Sequence, residues 1–164
     1  MIMANNVNIK GLDELLAKFN SVKHDTRYKG GRSALRKAAN NVVAAAKQNA
    51  RKIDDPRTSE SILKNITTRW NGRRYKSTGD LGFRIGVLGG ARGYAKASGE
   101  VKGKGAANPG GDTYYWRFLE FGTEKMAARP FLRKALMDHL QETTDVFADA
   151  YKNAIDKAIK KAGK

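Results

Sequence analysis

The side chains that could do acid–base or metal chemistry are two histidines and sixteen carboxylates, and there is no cysteine. His24 falls in a polar turn and His139 between Asp138 and Leu140 in a helical pattern. Neither has an adjoining motif that supplies a nucleophile or a proton-transfer partner, so each reads as a surface or packing residue. Without cysteine there is no thiolate ligand and no disulfide framework. Asp54-Asp55-Pro56 sets two carboxylates side by side. With no His or Cys close in sequence, the pair reads as an acidic turn that ends a helix. Glu120, between Leu119 and Phe121, is the most distinctive carboxylate: if buried it must be paired, and Arg117, Lys125 and Arg129 are its expected partners. The glycines between Gly89 and Gly111 form no Gly-x-x-x-x-Gly-Lys-Ser/Thr loop and do not open an apolar helix after a strand. The expectation is a protein without catalysis, cofactor or metal.

Charge is the stronger signal. The chain has 32 Lys and Arg against 16 Asp and Glu, a net +16. A chain this basic attracts a polyanion such as nucleic acid or an acidic partner surface. The excess is dense between residues 69 and 104, where nine bases face two acids, Asp80 and Glu100. Arg69, Arg73, Arg74, Lys76, Arg92, Lys96, Lys102 and Lys104 are the candidates to face DNA, with Arg84 as the ninth base. The aromatics among them are Trp70, Tyr75, Phe83 and Tyr94. That interleaving is modest, which ranks a free, non-specific nucleic-acid-binding protein second among the readings. The first residues lack the basic segment and apolar run of a signal peptide, and no stretch approaches the roughly twenty apolar residues of a membrane span. A soluble intracellular product without a membrane partner is expected, so the sequon Asn65-Ile66-Thr67 reads as chance.

These residues need elements to position them. Leu12, Leu15, Leu16 and Phe19 predict an amphipathic helix over Gly11 to Val22. A second begins after Gly30-Gly31 and runs to about Ile53, with Leu35, Ala39, Val42, Val43, Ala46, Ala50 and Ile53 as its apolar stripe. Arg32, Arg36, Lys37, Lys47 and Arg51 fall on its basic outer face. Thr58 is placed to cap a short turn through Leu63, with Ile62, Leu63 and Ile66 inward. Alternation of Leu81, Phe83, Ile85 and Val87 predicts a half-buried strand, with Ile66 to Trp70 as the candidate partner. The Gly- and Lys-rich stretch at about 89–111 cannot bury enough apolar surface to order itself and reads as a mobile loop. Leu132, Ala135, Leu136, Leu140, Thr143, Phe147, Ala150 and Ala154, then Ile155, Ala158 and Ile159, predict one last helix launched by Pro130. Thirty residues span about 45 Å, more than a small domain needs for its own core, which points to a partner.

Between these halves lies the densest aromatic stretch, Tyr114 to Leu136. It contains Tyr115, Trp116, Phe118, Phe121 and Phe131, with Gly122 able to turn left-handed and Arg129-Pro130 leading into a helix, and Phe118, Phe121, Phe131 and Leu132 are expected to form the core hinge of the domain around that turn. The pattern Phe118-Leu119-Glu120-Phe121-Gly122-Thr123, followed by Ala128-Arg129-Pro130-Phe131-Leu132, resembles the signature of a family of tailed-phage neck proteins. These are the tail-completion proteins related to gene product ten of phage HK97.

At 164 residues the chain fits a single domain over 1–164, and the resemblance implies an α+β fold, with a small antiparallel sheet packed against two amino-terminal helices and one long carboxy-terminal helix. It implies a structural virion protein of the neck that joins head to tail, located in the virion and, during assembly, in the host cytoplasm. The partners it implies are copies of itself in a ring, a hexamer, together with head-closure, tail-terminator or tail-tube proteins and the double-stranded DNA passing through. Tyr115, Trp116, Phe118, Glu120, Phe121, Gly122, Thr123, Arg129, Pro130, Phe131 and Leu132 would be its motif or subunit-interface residues.

Overall fold

A computed structural model describes Asn20 and residues 23–54, 60–88 and 109–162. The helix expected over Gly11 to Val22, the cap at Thr58 and most of the loop at 89–111 lie outside the described residues.

The central element is α1, Gly31–Arg51, entered through a π-helical segment, Asp25–Gly30. The expected start after Gly30-Gly31 is corrected, because both glycines are helical, at φ −65° and −61°. Their role is close approach. A Cβ on Gly30 would lie 2.9 Å from the Cβ of Ala154, and one on Gly31 2.9 Å from Leu81 Cδ1. Alanine dominates the buried surface of α1 for the same reason. Ala34, Ala38, Ala39, Ala45, Ala46 and Ala50 are buried with Val42 and Val43, whereas Leu35 is half-buried. The buried face is wider than one stripe because two structures pack on α1 from different sides.

On one side is the sheet. After the short helix α2, Ile62–Asn65, strand β1, Ile66–Trp70, pairs antiparallel with β2, Phe83–Val87. The register sets Ile66 opposite Val87, Arg69 opposite Arg84 and Trp70 opposite Phe83. Leu81, expected in the strand, precedes it and packs on Gly31. The connection holds a helix that periodicity did not reveal: α3, Gly72–Thr78. Its single large apolar residue, Tyr75, leaves no periodic signal, and local chemistry forms it instead. The Asn71 side chain accepts the Arg74 amide at 3.3 Å, and Gly79 ends the helix at φ +74°.

On the other side are the last helices. The single long helix expected from Pro130 is in fact two, α5 (Leu132–Asp138) and α6 (Leu140–Ala162), separated by His139 at φ −114°, ψ 19°. The break lets α5 seat Ala135 in the core with Phe131, while α6 runs back along α1 until Ala154 meets Gly30. Leu136 and Leu140, expected inward, are 47% and 59% exposed because the stripe changes direction there. Part of the surplus length of α6 is taken up within the chain, since it also packs on the π-helical segment. The fold is a mixed α+β one, with a two-stranded antiparallel sheet, helices and a long carboxy-terminal helix.

Candidate functional site

The aromatic motif folds into one connected turn. Helix α4, Trp116–Phe121, ends at Gly122, whose φ of +77° and ψ of 179° form a conformation almost confined to glycine. A Cβ there would lie 2.9 Å from both the Met126 carbonyl oxygen and the Ala128 nitrogen. Beyond it, Thr123 and Met126 exchange backbone hydrogen bonds, and the Arg129 amide donates to the Leu119 carbonyl at 2.7 Å. The chain is thereby folded back so that α5 begins against Glu120.

Glu120 is buried, 1% exposed, and it caps that helix. The amides of Phe131, Leu132 and Arg133 donate to its carboxylate at 2.8, 2.9 and 2.9 Å. A helix start leaves such donors without partners and carries a partial positive charge, so a carboxylate is the natural complement. Its charged partner is Arg133, Nε to Oε1 at 3.2 Å, rather than Arg117, Lys125 or Arg129. Sequence proximity misled here, because the return of the chain at Gly122 brings residue 133 onto the carboxylate although Arg117, Lys125 and Arg129 are closer along the chain.

The remaining motif residues divide by burial. Phe131 is 1% exposed and central to the core, and Tyr115, Trp116 and Leu132 pack against it. Phe118 is half-buried, edge-on to Tyr114 with ring centroids 6.5 Å apart. Phe121 stands 62% exposed, so its expected place in the core is corrected; the Arg133 guanidinium covers one face at 5.0 Å. Thr123 and Arg129 are exposed and Pro130 half-buried.

A residue that sequence reading missed is Asn65, seen there as half of a sequon. It is fully buried. Its Nδ2 donates to the Gly111 carbonyl at 2.9 Å and to Thr113 Oγ1 at 2.8 Å, and its Oδ1 accepts the Gly110 amide at 2.7 Å. The last residues of the glycine-rich stretch are therefore fixed against α2, and a Cβ at Gly110 would collide with the Ser61 carbonyl. No residue pattern announces such an anchor.

Of the expected DNA-facing residues, Arg69, Arg73, Arg74 and Lys76 lie together on β1 and α3, all exposed, with Arg84 beside Arg69 on β2. Arg92, Lys96, Lys102 and Lys104 lie outside the described residues. Arg74 pairs with Asp80 at 3.1 Å. That contact and a hydrogen bond from Thr78 hold the Asp80 carboxyl below its usual range, the Thr78 bond contributing more. Behind this surface, Trp70 packs edge-on to Phe83 at 5.3 Å, Tyr75 lies 5.7 Å from it, and the Arg32 guanidinium sits over the indole at 4.4 Å. Arg32, expected on the basic outer face of α1, is thus half-buried in an aromatic cluster with Trp70, which is itself half-buried.

The histidines sit in local contacts. His24 stacks on Tyr28, and His139 Nδ1 lies 2.8 Å from Glu142 Oε2 at the α5–α6 break. Asp54 accepts a hydrogen bond from Ser61 at 3.2 Å; Asp55 lies outside the described residues. Among the described residues no group of three or more His, Asp or Glu is placed to hold a metal ion, and no helix is long and apolar enough to cross a membrane.

Residues 13–122 match the HK97-gp10-like family, described as a candidate tail component of bacteriophage. The match takes in α1, the sheet and α4, and it ends at Gly122, where the chain turns toward the helix that Glu120 caps. No match to a curated protein or to a solved structure accompanies it. The span is well over half of the chain and includes the Phe118 to Gly122 core of the motif: the protein belongs to the HK97-gp10-like family of phage tail components.

Proposed function

We propose that the protein is a structural subunit of the phage neck, a tail-completion protein that joins head to tail as one member of a ring, hexameric by family resemblance, around the passage through which DNA leaves the capsid. The family match carries this reading, and the exposed basic surface of β1, α3 and β2 supports it. DNA in such a passage must slide, so basic side chains there would offset phosphate repulsion without reading bases. Neighbouring partners would be head-closure and tail-terminator or tail-tube proteins, and the protein would be part of the virion after assembly in the host cytoplasm.

A phage carrying a nonsense mutation in this gene tests the proposal. Electron microscopy of lysates should show filled heads and tails that fail to join or complete, with joining restored by the protein supplied in trans. Normal virions from the mutant would overturn it. The alternative, a free nucleic-acid-binding protein, is the less favoured reading, because Trp70 is half-buried with Arg32 stacked on its ring and Tyr75 and Phe83 beside it.

A further inference from the structure

We infer that the basic outer face of the β1–β2 sheet docks on the acidic flank of α6 of a second copy, which is the contact that links one subunit to the next. The inference rests on the assembly reading above and specifies the surfaces that would perform it.

Ile66, Thr68 and Trp70 on β1, with Phe83, Ile85 and Val87 opposite them, form the sheet face turned toward α1, where Thr68 donates to Asn40 and Trp70 meets Arg32. The other face carries Thr67, Arg69, Arg84 and Gly86. Arg69 and Arg84 are directly opposite across the strands, and like charges in that position destabilise a sheet. Neither makes an ion pair among the described residues, and both are exposed. They line an open pocket of about 320 Å³ with Thr67 and Gly86, and a Cβ on Gly86 would meet nothing within 4 Å. The surface is basic, and its two arginines have no acidic partner among the described residues.

The complementary surface is on α6. Glu142, Asp145, Asp149 and Asp156 recur at i, i+3, i+7 and i+14, which places them on one narrow side of the helix, and all four are exposed. Half-buried Phe147, Ala150, Tyr151 and Ala154 mark a different side. Residues 142–156 hold four acids against a single base, Lys152, whereas residues 66–87 hold five bases against one acid, Asp80. In a chain of net +16, copies repel one another unless opposite charges meet locally.

DNA would satisfy the sheet face but not the acidic flank, which would repel it. A second copy satisfies both with one kind of contact. Glu142, at the near end of the flank, is engaged by His139 and by Asn41 of α1, which leaves Asp145, Asp149 and Asp156 as its outward part, on a different element from the two arginines. A contact between unlike patches of identical subunits is heterologous and propagates head to tail, closing into a ring where the rotation allows.

Charge reversal in two separate proteins tests this. One carries Arg69→Glu with Arg84→Glu, the other Asp145→Lys with Asp149→Lys; circular dichroism checks folding, and Ser replaces both arginines if the Glu pair does not fold. Sedimentation of the wild type at low salt should show an oligomer, and each variant alone should lose it. An equimolar mixture of the two charge-reversed proteins should recover it, since a reversed sheet then meets a reversed helix. With the Ser variant in use, the expected result is loss of the oligomer in each variant and its recovery in the wild type as salt is lowered. Variants that assemble like the wild type, a mixture of reversed proteins that stays monomeric, or a wild type that never associates would each overturn the inference. If the arginine variant assembles normally but retains less duplex DNA, the sheet face serves DNA and the inference fails, while the tail role remains to be judged by the nonsense mutant.

Discussion

Glu120 and Arg133 hold each other at two points: Arg133 Nε meets the Glu120 carboxylate at 3.2 Å while its Nη2 donates to the Glu120 carbonyl at 2.6 Å. The same carboxylate receives the amides that open α5, so one side chain joins the end of α4 to the start of α5. Arg133 is 56% exposed, which weakens its ionic share through solvent screening. The backbone amides are the larger part. Glu120→Ala should therefore lower stability by about 2 to 3 kcal/mol, mostly from donors left unmade, and Arg133→Ala by less than about 1 kcal/mol. Urea melts of the two variants check the order; equal losses would show that the ion pair dominates.

The two phenylalanines of the motif should behave oppositely. Phe131 is 1% exposed and Phe121 is 62% exposed. Phe131→Ala should cost about 3 to 5 kcal/mol, while Phe121→Ala should fall within about 0.5 kcal/mol, the range of ordinary surface changes. Thermal denaturation distinguishes them.

Gly122→Ala forces a side chain into a backbone region that glycine alone occupies freely, and against backbone atoms at 2.9 Å. A loss of at least about 1 to 3 kcal/mol is expected from the strained dihedrals. A melt unchanged from wild type would mean that the turn relaxes without glycine.

Asn65→Ala should leave the Gly110 amide and Gly111 carbonyl buried without their partner. The expected loss is about 1 to 3 kcal/mol, with faster amide exchange at Gly110. Asn65→Asp tests the same site, since its carboxylate still accepts from Gly110 but no longer donates to Gly111 and Thr113.

Acid sensitivity has a defined sign at the α5–α6 break. The hydrogen bond from His139 is the largest influence holding the Glu142 carboxyl below its ordinary 4.5. A depressed carboxylate contributes stability that is fully present above 4.5 and is lost as pH falls through the lower folded value. Glu142→Gln should lower the neutral plateau of a melting-temperature profile slightly and flatten its acid limb, so that the two profiles converge at low pH, where the wild type has already lost the contribution. The effect should shrink in high salt, because the group is exposed.

What the sequence by itself determined was whatever local chemistry dictates. Apolar spacing placed α1 and the last helical run, which the structure divides into α5 and α6, alternation placed β2 with β1 as its partner, and composition placed the basic excess near the sheet. The motif from Phe118 to Leu132 carries the resemblance to the family in its residues alone. Most of the rest was decided by tertiary structure, through contacts that join residues far apart in the chain. Gly30 and Gly31 read as a break, yet they are the crossing of α6 and Leu81 over α1. Glu120 read as a partner of nearby cations, yet the turn at Gly122 delivers it to Arg133 and a helix start. Helix α3 has too few apolar residues to show a period, and only the Asn71 cap and Gly79 stop reveal it. The pairing of Arg69 with Arg84 depends on strand register, which spacing along one strand does not fix.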